Sequence, residues 1–410
     1  MLNKLKNYWK FLKTVNFKDT SKNLKKCDVL LFCHDADRGV TLNNKAYSPL
    51  IDSVRDKLEA EGFKCQTIAR SGSKLVGKHA HGNPISIFNR NSFIIFLISR
   101  ITKKKFVQLI YENIFIKTKP KMIITIGCND EFCLAARNLN IYHFELLHGI
   151  GYTPMPWDWD KKEKENLPQG ILSLDVVSTN TFNELKLKGL DVYQINHPFL
   201  SRFNLKNNIE LPEEWILKDI DQKYTKTILI TLQWGYAPSI DELDIHKGIL
   251  NNGLFFEEIE SIIKETKDSI FWRFRFHPVQ YRQQKKYKKL FNIVDNFIKE
   301  FKNCEWKEST FLPLPSILGT CDGHITMSSM SSYEAAYLGI RTLALCPTLQ
   351  KGGIYGNMFK DLVKKGYLVK EKPDKVKICN WINELTRLEP LLQFSNQDVI
   401  QVLKEKMENK

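Results

Sequence analysis

Four serines stand together at one corner of the sequence, where an apolar run ends and a helical pattern begins. They are Ser328, Ser329, Ser331 and Ser332. The run up to Met327 is typical of a short buried strand, and the residues from Tyr333 onward have helical spacing. Ligands of open α/β sheets lie beyond the carboxyl ends of strands, and helix N-termini bind anions. The corner therefore predicts a phosphate site, although serine is also a preferred helix cap that needs no ligand.

A histidine closes another predicted strand, in which arginine alternates with aromatic residues before His277 and Pro278. Alternation along a strand places Arg273, Arg275 and His277 on one face. A histidine at that position can donate to a leaving phosphate, and the arginines can neutralise its charge. The alternative is a histidine that caps a turn and arginines that pair with acidic neighbours.

Strands and amphipathic helices alternate around these positions in two series. The first begins at Cys27 and the second restarts at Thr227, after a polar stretch that contains proline. We therefore expect an α/β fold in which two Rossmann-type domains face a central cleft. The predicted segments are a basic amphipathic N-terminal segment (1–26), an acceptor-side Rossmann-like domain (27–200), a linker (201–224), a donor domain (225–375) and C-terminal helices (376–410).

The charge balance favours acidic partners. The chain carries 61 Lys and Arg against 46 Asp and Glu, a formal charge of +15. Nucleotides, anionic lipid surfaces and nucleic acid would all be attracted. Nucleic-acid binding is disfavoured, because the lysine-rich segments 103–105 and 285–289 are typical of solvated helix faces rather than of a groove with interleaved aromatics.

The nine cysteines are scattered, without a C-x-x-C pair, and indicate reduced thiols rather than a disulfide framework or a zinc site. No apolar run has the length of a signal peptide or a membrane span. We expect a cytoplasmic protein. In the first 26 residues Leu2, Leu5 and Trp9 fall on a helical stripe opposite several lysines. That pattern suits contact with the inner face of an anionic cell membrane, or equally a helix packed on the body of the protein.

The His-Pro pair and the serine corner some fifty residues later resemble motifs of the bacterial sialyltransferases of capsule and lipooligosaccharide synthesis and of the polysialyltransferases. The stretch from Ser331 to Gly339 is similar to the donor domain of GT-B enzymes generally. The resemblance implies a GT-B-like fold. It also implies that His277 contacts the donor phosphate, that Ser331 and Ser332 (or Ser328 and Ser329) bind phosphate, and that Glu334 holds the ribose hydroxyls.

Those sialyltransferases also carry an acidic pair before a glycine in the N-terminal domain. This chain departs from that pattern by an inserted Ala and Arg, because it has Asp35-Ala36-Asp37-Arg38-Gly39. In an inverting transfer a carboxylate near the acceptor takes its hydroxyl proton. We expect Asp37 to be this base and Asp35 to raise its pKa by like-charge repulsion. A turn-capping carboxylate, or a divalent-cation pair of the GT-A type, is the alternative.

His148 and Gly149 end a strand of the N-terminal domain and are further candidates for contact with acceptor or donor. The leading hypothesis is a hexosyl- or nonulosonyl-transferase that moves a sugar from a nucleotide-sugar, CMP-activated in the sialyltransferases, to a growing capsule or lipopolysaccharide glycan. It requires no cofactor and no metal. The alternatives are a CDP-polyol phosphotransferase of the teichoic-acid type, a nucleotide-sugar epimerase, and a basic nucleic-acid or membrane-binding protein.

Overall fold

The computed structural model describes residues 20–34, 37–70, 79–102, 105–203, 210–217, 223–391 and 397–408. The chain forms two compact units, of which the first combines Met1–Ser201 with Gln393–Lys410 and the second is Arg202–Leu392. Asp35 and the amphipathic stripe of residues 2–12 lie outside the described residues. Within the described part of the chain, no helix is long and apolar enough to cross a membrane.

Within the residues that the structure describes, the strands form two parallel sheets and one hairpin. The strands are β1 (Val29–His34), β2 (Val40–Leu42), β3 (Lys45–Tyr47), β4 (Cys65–Arg70), β5 (Ile85–Ser86), β6 (Met122–Thr125), β7 (Tyr142–Leu146), β8 (Gly170–Ser173), β9 (Asp191–Gln194), β10 (Lys226–Thr231), β11 (Ile270–Arg275), β12 (Cys304–Glu305), β13 (Gly323–Thr326), β14 (Arg341–Ala344) and β15 (Leu368–Lys370).

Helices follow most strands. They are α1 (Ile51–Ala60), α2 (Arg90–Thr102), α3 (Phe106–Thr118), α4 (Asp130–Asn138), α5 (Val176–Phe182), α6 (Glu257–Glu265), α7 (Pro278–Arg282), α8 (Gln284–Glu300), α9 (Lys307–Phe311), α10 (Leu314–Leu318), α11 (Ser331–Tyr337), α12 (Lys360–Lys364), α13 (Lys375–Asn383) and α14 (Val399–Glu408). The predicted C-terminal helices of 376–410 are thus divided between the units, because α13 belongs to the second and α14 to the first.

The sheet of the first unit is parallel, with strand order β5-β4-β1-β6-β7-β8-β9. Successive side chains of a strand point to opposite faces. Accordingly Leu30 and Phe32 pack into a core with α3 and α4, whereas Val29 and Leu31 pack into a core with α1 and α14. Both faces of the sheet are covered by helices, as a Rossmann-like domain requires.

The sheet of the second unit is also parallel, with strand order β12-β11-β10-β13-β14-β15. Its central strand is β10, where Thr231 pairs in register with Arg275 of β11 and with Thr326 of β13. The carboxyl ends of these three strands therefore lie side by side at one edge. Confirming the sequence prediction, the fold class is α/β with two Rossmann-like parallel-sheet units.

Local differences from the predicted elements have identifiable causes. The apolar region 90–118 forms two helices, α2 and α3, and Lys105 adopts an extended backbone before α3. Between β1 and α1 the chain forms the antiparallel hairpin β2-β3, which the sequence analysis did not predict. Its turn residues, Asn43 and Asn44, both have positive φ, at 51° and 57°. Positive φ at both central residues defines a type I′ hairpin turn, which asparagine adopts readily. The Asn-Asn pair in the sequence therefore suits this turn.

Candidate functional site

The strand order of the second unit reverses beside β10. From β10 the chain proceeds outward to β11 and β12, then returns to β13 on the opposite side. Ligands of open α/β sheets bind outside the carboxyl ends of the strands at such a switch point. The loops that start there are the one after β10, from Leu232, and the serine corner after β13.

Ser328 joins these two loops. Its backbone N–H donates to Gln233 Oε1 at 2.8 Å, and its hydroxyl accepts from Gln233 Nε2 at 3.0 Å. The hydroxyl also lies 3.1 Å from the hydroxyl of Tyr236. Sequence reasoning assigned no role to Gln233 or Tyr236, although both follow the end of a predicted strand. The serine corner is thus held to the β10 loop by side-chain hydrogen bonds.

The other serines have partners near the start of α11. Ser329 accepts from the N–H of Ser331 at 3.2 Å and, through its carbonyl, from the hydroxyl of Ser332 at 2.9 Å. The hydroxyl of Ser331 lies within 3.3 Å of Thr231 and 3.4 Å of His324. Since the hydroxyl of Ser329 and the carbonyl of Met330 already occupy N–H groups of this seven-residue helix, a phosphate would be met by hydroxyls.

His277 caps α7. Its Nδ1 accepts from the N–H of Val279 at 3.2 Å, while its own N–H donates to Gln280 Oε1 at 2.9 Å. Burial lowers the pKa of His277 to about 4, with Arg282 and Arg275 acting in the same direction and Asp241 against them. The imidazole is therefore neutral at pH 7. Because Nδ1 accepts, the proton sits on Nε2, which can donate a hydrogen bond to an anionic oxygen.

The two arginines of β11 have different surroundings. Arg273 is buried and forms an ion pair with Glu305, at 2.7 Å. This ion pair is the contact expected under the alternative interpretation, in which the arginine pairs with an acidic neighbour. Arg275 donates to the carbonyls of Leu312, at 2.8 Å, and Ser309. Burial lowers the pKa of Arg275 to about 10, and the charge of Glu334 opposes this shift.

Glu334 lies within electrostatic reach of Arg275, so β11 and α11 contribute residues to the same site. Burial raises the pKa of Glu334 to about 7, and Arg275 partly offsets the effect. A carboxyl group whose pKa lies near 7, beside a guanidinium group, is typical of functional sites. The structure therefore brings Glu334 and Arg275 together, and Arg275 also affects His277 electrostatically.

Some buried polar atoms near this edge have no hydrogen-bond partner in the described part of the chain. Among them are Gln280 Nε2 and His246 Nε2. The ring of His246 stacks on Tyr236 with centroids 3.9 Å apart. Leaving a buried polar atom unpaired costs on the order of 1–3 kcal/mol. A polar ligand at this edge could satisfy such atoms, which sequence reasoning did not single out.

In the first unit Asp37 lies within electrostatic reach of His148. Asp37 Oδ2 accepts from the N–H of His34 at 3.1 Å. Partial burial against Tyr152 and Trp157 lowers the pKa of His148, and the charge of Asp37 opposes this. Gly149 follows directly and contributes no side chain. An imidazole that is neutral at pH 7 can accept a proton.

Arg38, the residue after Asp37, forms a buried ion pair with Asp52, at 2.5 Å. The pKa of Asp52 is raised by burial, and Arg38 counteracts the shift. This pair holds the loop after β1 onto α1. Asp35, the other predicted carboxylate, lies outside the described residues.

A second polar cluster of this unit was missed by sequence reasoning. Glu145 of β7 accepts from the N–H groups of Gly127 and Cys128, at 2.5 and 3.2 Å. Thr125 contacts both Glu145 and His143, at 2.5 and 2.7 Å. Burial raises the pKa of Glu145 to about 7. The alternating pattern of a buried strand gave no indication that these polar residues converge.

Comparisons with known proteins give a result for the structure only. No protein-family model and no curated protein sequence matches the chain. Solved structures with a similar fold include UDP-GlcNAc 2-epimerase from Methanocaldococcus jannaschii, at TM-score 0.56 and 13% identity over 93% of this chain and 99% of that chain. The same enzyme in complex with UDP-GlcNAc and UDP aligns at TM-score 0.51 and 14% identity over the same shares.

A variant of the wall teichoic acid polymerase TagF is also similar, at TM-score 0.55 and 10% identity over 96% of this chain and 91% of that chain. Such low identity establishes the fold alone. The chain therefore has a fold of the GT-B type, with two Rossmann-like parallel-sheet units.

Proposed function

We propose that this protein is a GT-B glycosyltransferase that binds a nucleotide-sugar through its second unit and transfers the sugar to a bacterial cell-surface glycan, of capsule or lipopolysaccharide. The observation that carries the proposal is the position of Ser328, His277, Arg275 and Glu334 at or just beyond the carboxyl ends of β11 and β13, which flank β10 in one parallel sheet. Hydroxyls, a neutral histidine, a cation and a carboxyl group are the groups that a nucleoside phosphate needs.

Each of these groups has a role in donor binding. The Nε2–H of His277 donates to an oxygen of the donor phosphate, and Arg275 stabilises the negative charge that develops as the phosphate leaves. The pKa of about 4 makes His277 a hydrogen-bond donor rather than a proton donor. Glu334, as the carboxylate, accepts from the ribose hydroxyls. Arg273 supports this edge through its ion pair with Glu305.

The first unit supplies the acceptor side. Asp37 takes the proton from the acceptor hydroxyl in an inverting transfer, and the neutral imidazole of His148, within electrostatic reach of it, contacts the acceptor. The proposal assigns no step to a cofactor.

A nucleotide-sugar epimerase is the second candidate, because UDP-GlcNAc 2-epimerases are among the proteins with a similar fold. A CDP-polyol phosphotransferase is also a candidate, because the polymerase TagF has a similar fold. These candidates differ from the glycosyltransferase in what they consume. An epimerase converts its nucleotide-sugar without an acceptor, whereas a transferase releases the nucleotide only when an acceptor is present.

Binding of CMP, CDP, UDP and GDP, measured by calorimetry on the full-length protein, tests donor recognition. We expect one of them to bind, and Ser328→Ala to weaken binding more than Ser261→Ala, a change on the exposed face of α6. Absence of binding for all four nucleotides would remove the proposal. Nucleotide release that depends on an added glycan acceptor would then exclude the epimerase.

The base is tested separately. Asp37→Asn should lower turnover on the order of a hundredfold while nucleotide affinity stays within about twofold of the original, because the carboxylate acts on the acceptor only. Near-normal turnover of this variant would show that the proton goes elsewhere.

Contact with an anionic membrane is part of the proposal. On α2 the side chains of Ile94, Leu97, Ile98 and Ile101 form one exposed apolar stripe, with exposed fractions of 45 to 82%. Exposed basic residues Arg100 and Lys105 adjoin it. An apolar stripe flanked by cations is typical of a helix that lies in a membrane interface. The acceptor glycan, if lipid-linked, would be reached from such a surface.

A further inference from the structure

Two thiols, an imidazole and a carboxyl group meet beside β6 and β7 in the first unit. Ligand atoms of Cys128, His143 and Glu145 all lie within 4.8 Å of one another. The Sγ of Cys133, in the first turns of α4, lies 3.8 Å from the Sγ of Cys128. The chain spacing of these residues shows no metal motif, which is why the sequence predicts no metal here. They converge only because β6 and β7 are neighbours in the sheet.

The hydrogen bonds of the cluster leave the lone pair of His143 Nδ1 available to bind a cation. His143 is fully buried, and its Nε2 bonds to Thr125 at 2.7 Å. Its Nδ1 has no hydrogen-bond partner in the described part of the chain. Thr125 also donates to Glu145, so its hydroxyl accepts the Nε2 proton of His143. This arrangement fixes the tautomer in which Nδ1 carries a free lone pair, as second-shell partners do for ligating histidines.

The separation of the two Sγ atoms suits a tetrahedral ion, with Cys133 added to the three residues whose ligand atoms all lie within 4.8 Å. With a Zn–S distance of about 2.3 Å, two thiolates on one tetrahedral zinc lie about 3.8 Å apart, and the observed Sγ separation is 3.8 Å. Thiolate ligands favour Zn²⁺ over Mg²⁺ or Ca²⁺, which select oxygen. We propose that Cys128, Cys133, His143 and Glu145 bind one Zn²⁺ ion.

Binding releases the two thiol protons to solvent, so the four ligands would be two thiolates, a neutral imidazole and a carboxylate. The N–H groups of Gly127 and Cys128, which Glu145 already accepts, offset the excess negative charge. Four protein ligands leave no open position, so the ion is structural. It fixes the loop after β6 and the start of α4 against β7. The proposal is independent of the glycosyltransferase function.

The test uses untagged full-length protein, reduced with a phosphine, stripped with a chelator and dialysed against buffered Zn²⁺. Mass spectrometry of the metal should give about one zinc per chain, and the melting temperature should rise with zinc. Cys128→Ser, Cys133→Ser and His143→Gln should each lose the ion. Cys379→Ser, which changes a cysteine of the second unit, should keep it.

Two measurements do not depend on whether a ligand variant folds. Co²⁺ added to the original chain should produce thiolate-to-cobalt charge-transfer absorption. Thr125→Val keeps all four ligands and should weaken zinc binding about 10- to 100-fold through loss of the second-shell contact. Absence of zinc uptake, a cobalt spectrum without thiolate bands, or equal zinc content in folded Cys128→Ser protein would overturn the proposal.

Discussion

Single residues of the donor site serve the structure and the proposed chemistry at the same time. His277 caps α7 through Nδ1, yet the same hydrogen bond places its remaining proton on Nε2. The alternatives that the sequence left open for this residue, a cap or a ligand contact, are therefore compatible. Arg273 differs, because its observed contact is the ion pair with Glu305.

Substitution of His277 should separate the two roles. His277→Ala removes cap and donor, so we expect a loss of about 1 kcal/mol of stability and a fall in turnover on the order of a hundredfold. Asparagine is a good helix cap. His277→Asn should therefore recover the stability, measured by denaturant unfolding, but not the turnover. Recovery of both by asparagine would show that capping was the whole role.

Glu334 should make donor affinity depend on pH. Its pKa in the free protein is about 7, raised by burial, and the carboxylate is the form that accepts from ribose hydroxyls. Affinity for a nucleotide-sugar should thus be about tenfold weaker at pH 6 than at pH 8. The esterified phosphates of a nucleotide-sugar do not titrate in this range. In Glu334→Gln the dependence should disappear, and its persistence in that variant would assign it to another group.

Neighbouring strands of the second unit are joined by a buried polar chain. His324 of β13 bonds to Thr231 of β10 at 2.9 Å and to Thr342 of β14 at 3.0 Å. Burial lowers the pKa of His324 to about 3. Buried polar groups are stable only when they are paired. These hydrogen bonds therefore favour the observed order β10-β13-β14.

This histidine should make the protein sensitive to acid. Between pH 6.5 and 3 the unfolded state binds a proton at His324 that the folded state does not, so stability falls as pH falls. At pH 5 the loss is about 2 kcal/mol relative to pH 7.5. In His324→Gln the difference in unfolding free energy between these pH values should shrink by that amount. The exposed His79→Gln should leave it unchanged, and an equal change in both variants would refute the assignment.

At the scale of the whole molecule, the net charge of +15 and the apolar stripe of α2 would both favour binding to an anionic membrane. The double substitution Ile94→Glu, Ile101→Glu should weaken binding to vesicles that contain anionic lipid by about tenfold or more, because it removes apolar area and adds negative charge. Sedimentation with vesicles measures this. The control is Val376→Glu, an equally exposed apolar site in the second unit.

Binding of the original chain should weaken with salt and fail on neutral vesicles. Equal binding of the double variant would place any membrane contact elsewhere, for example in residues 1–26, where the sequence predicts a basic amphipathic helix.

The alternation of apolar strands and amphipathic helices, which is a local property of the sequence, predicted the two Rossmann-like units. The GT-B type of fold was implied by the resemblance of the His-Pro pair and the serine corner to known enzymes, and the structure confirmed both. Because polar residues that follow a strand are also a local pattern, His277 and the serine corner could be singled out as candidates from the sequence, and their roles stay predictions. The sialyltransferase kinship, the sugar donor and the acceptor stay predictions.

Tertiary structure decided which polar groups meet. Gln233 bonds to Ser328 across 95 positions of sequence, and Glu334 comes within electrostatic reach of Arg275. Likewise Thr125, His143 and Cys128 assemble around Glu145 only because β6 and β7 are adjacent. Periodicity predicts which face of an element is buried, but strand order and register set the partners. Those depend on long-range pairing, which no local pattern encodes.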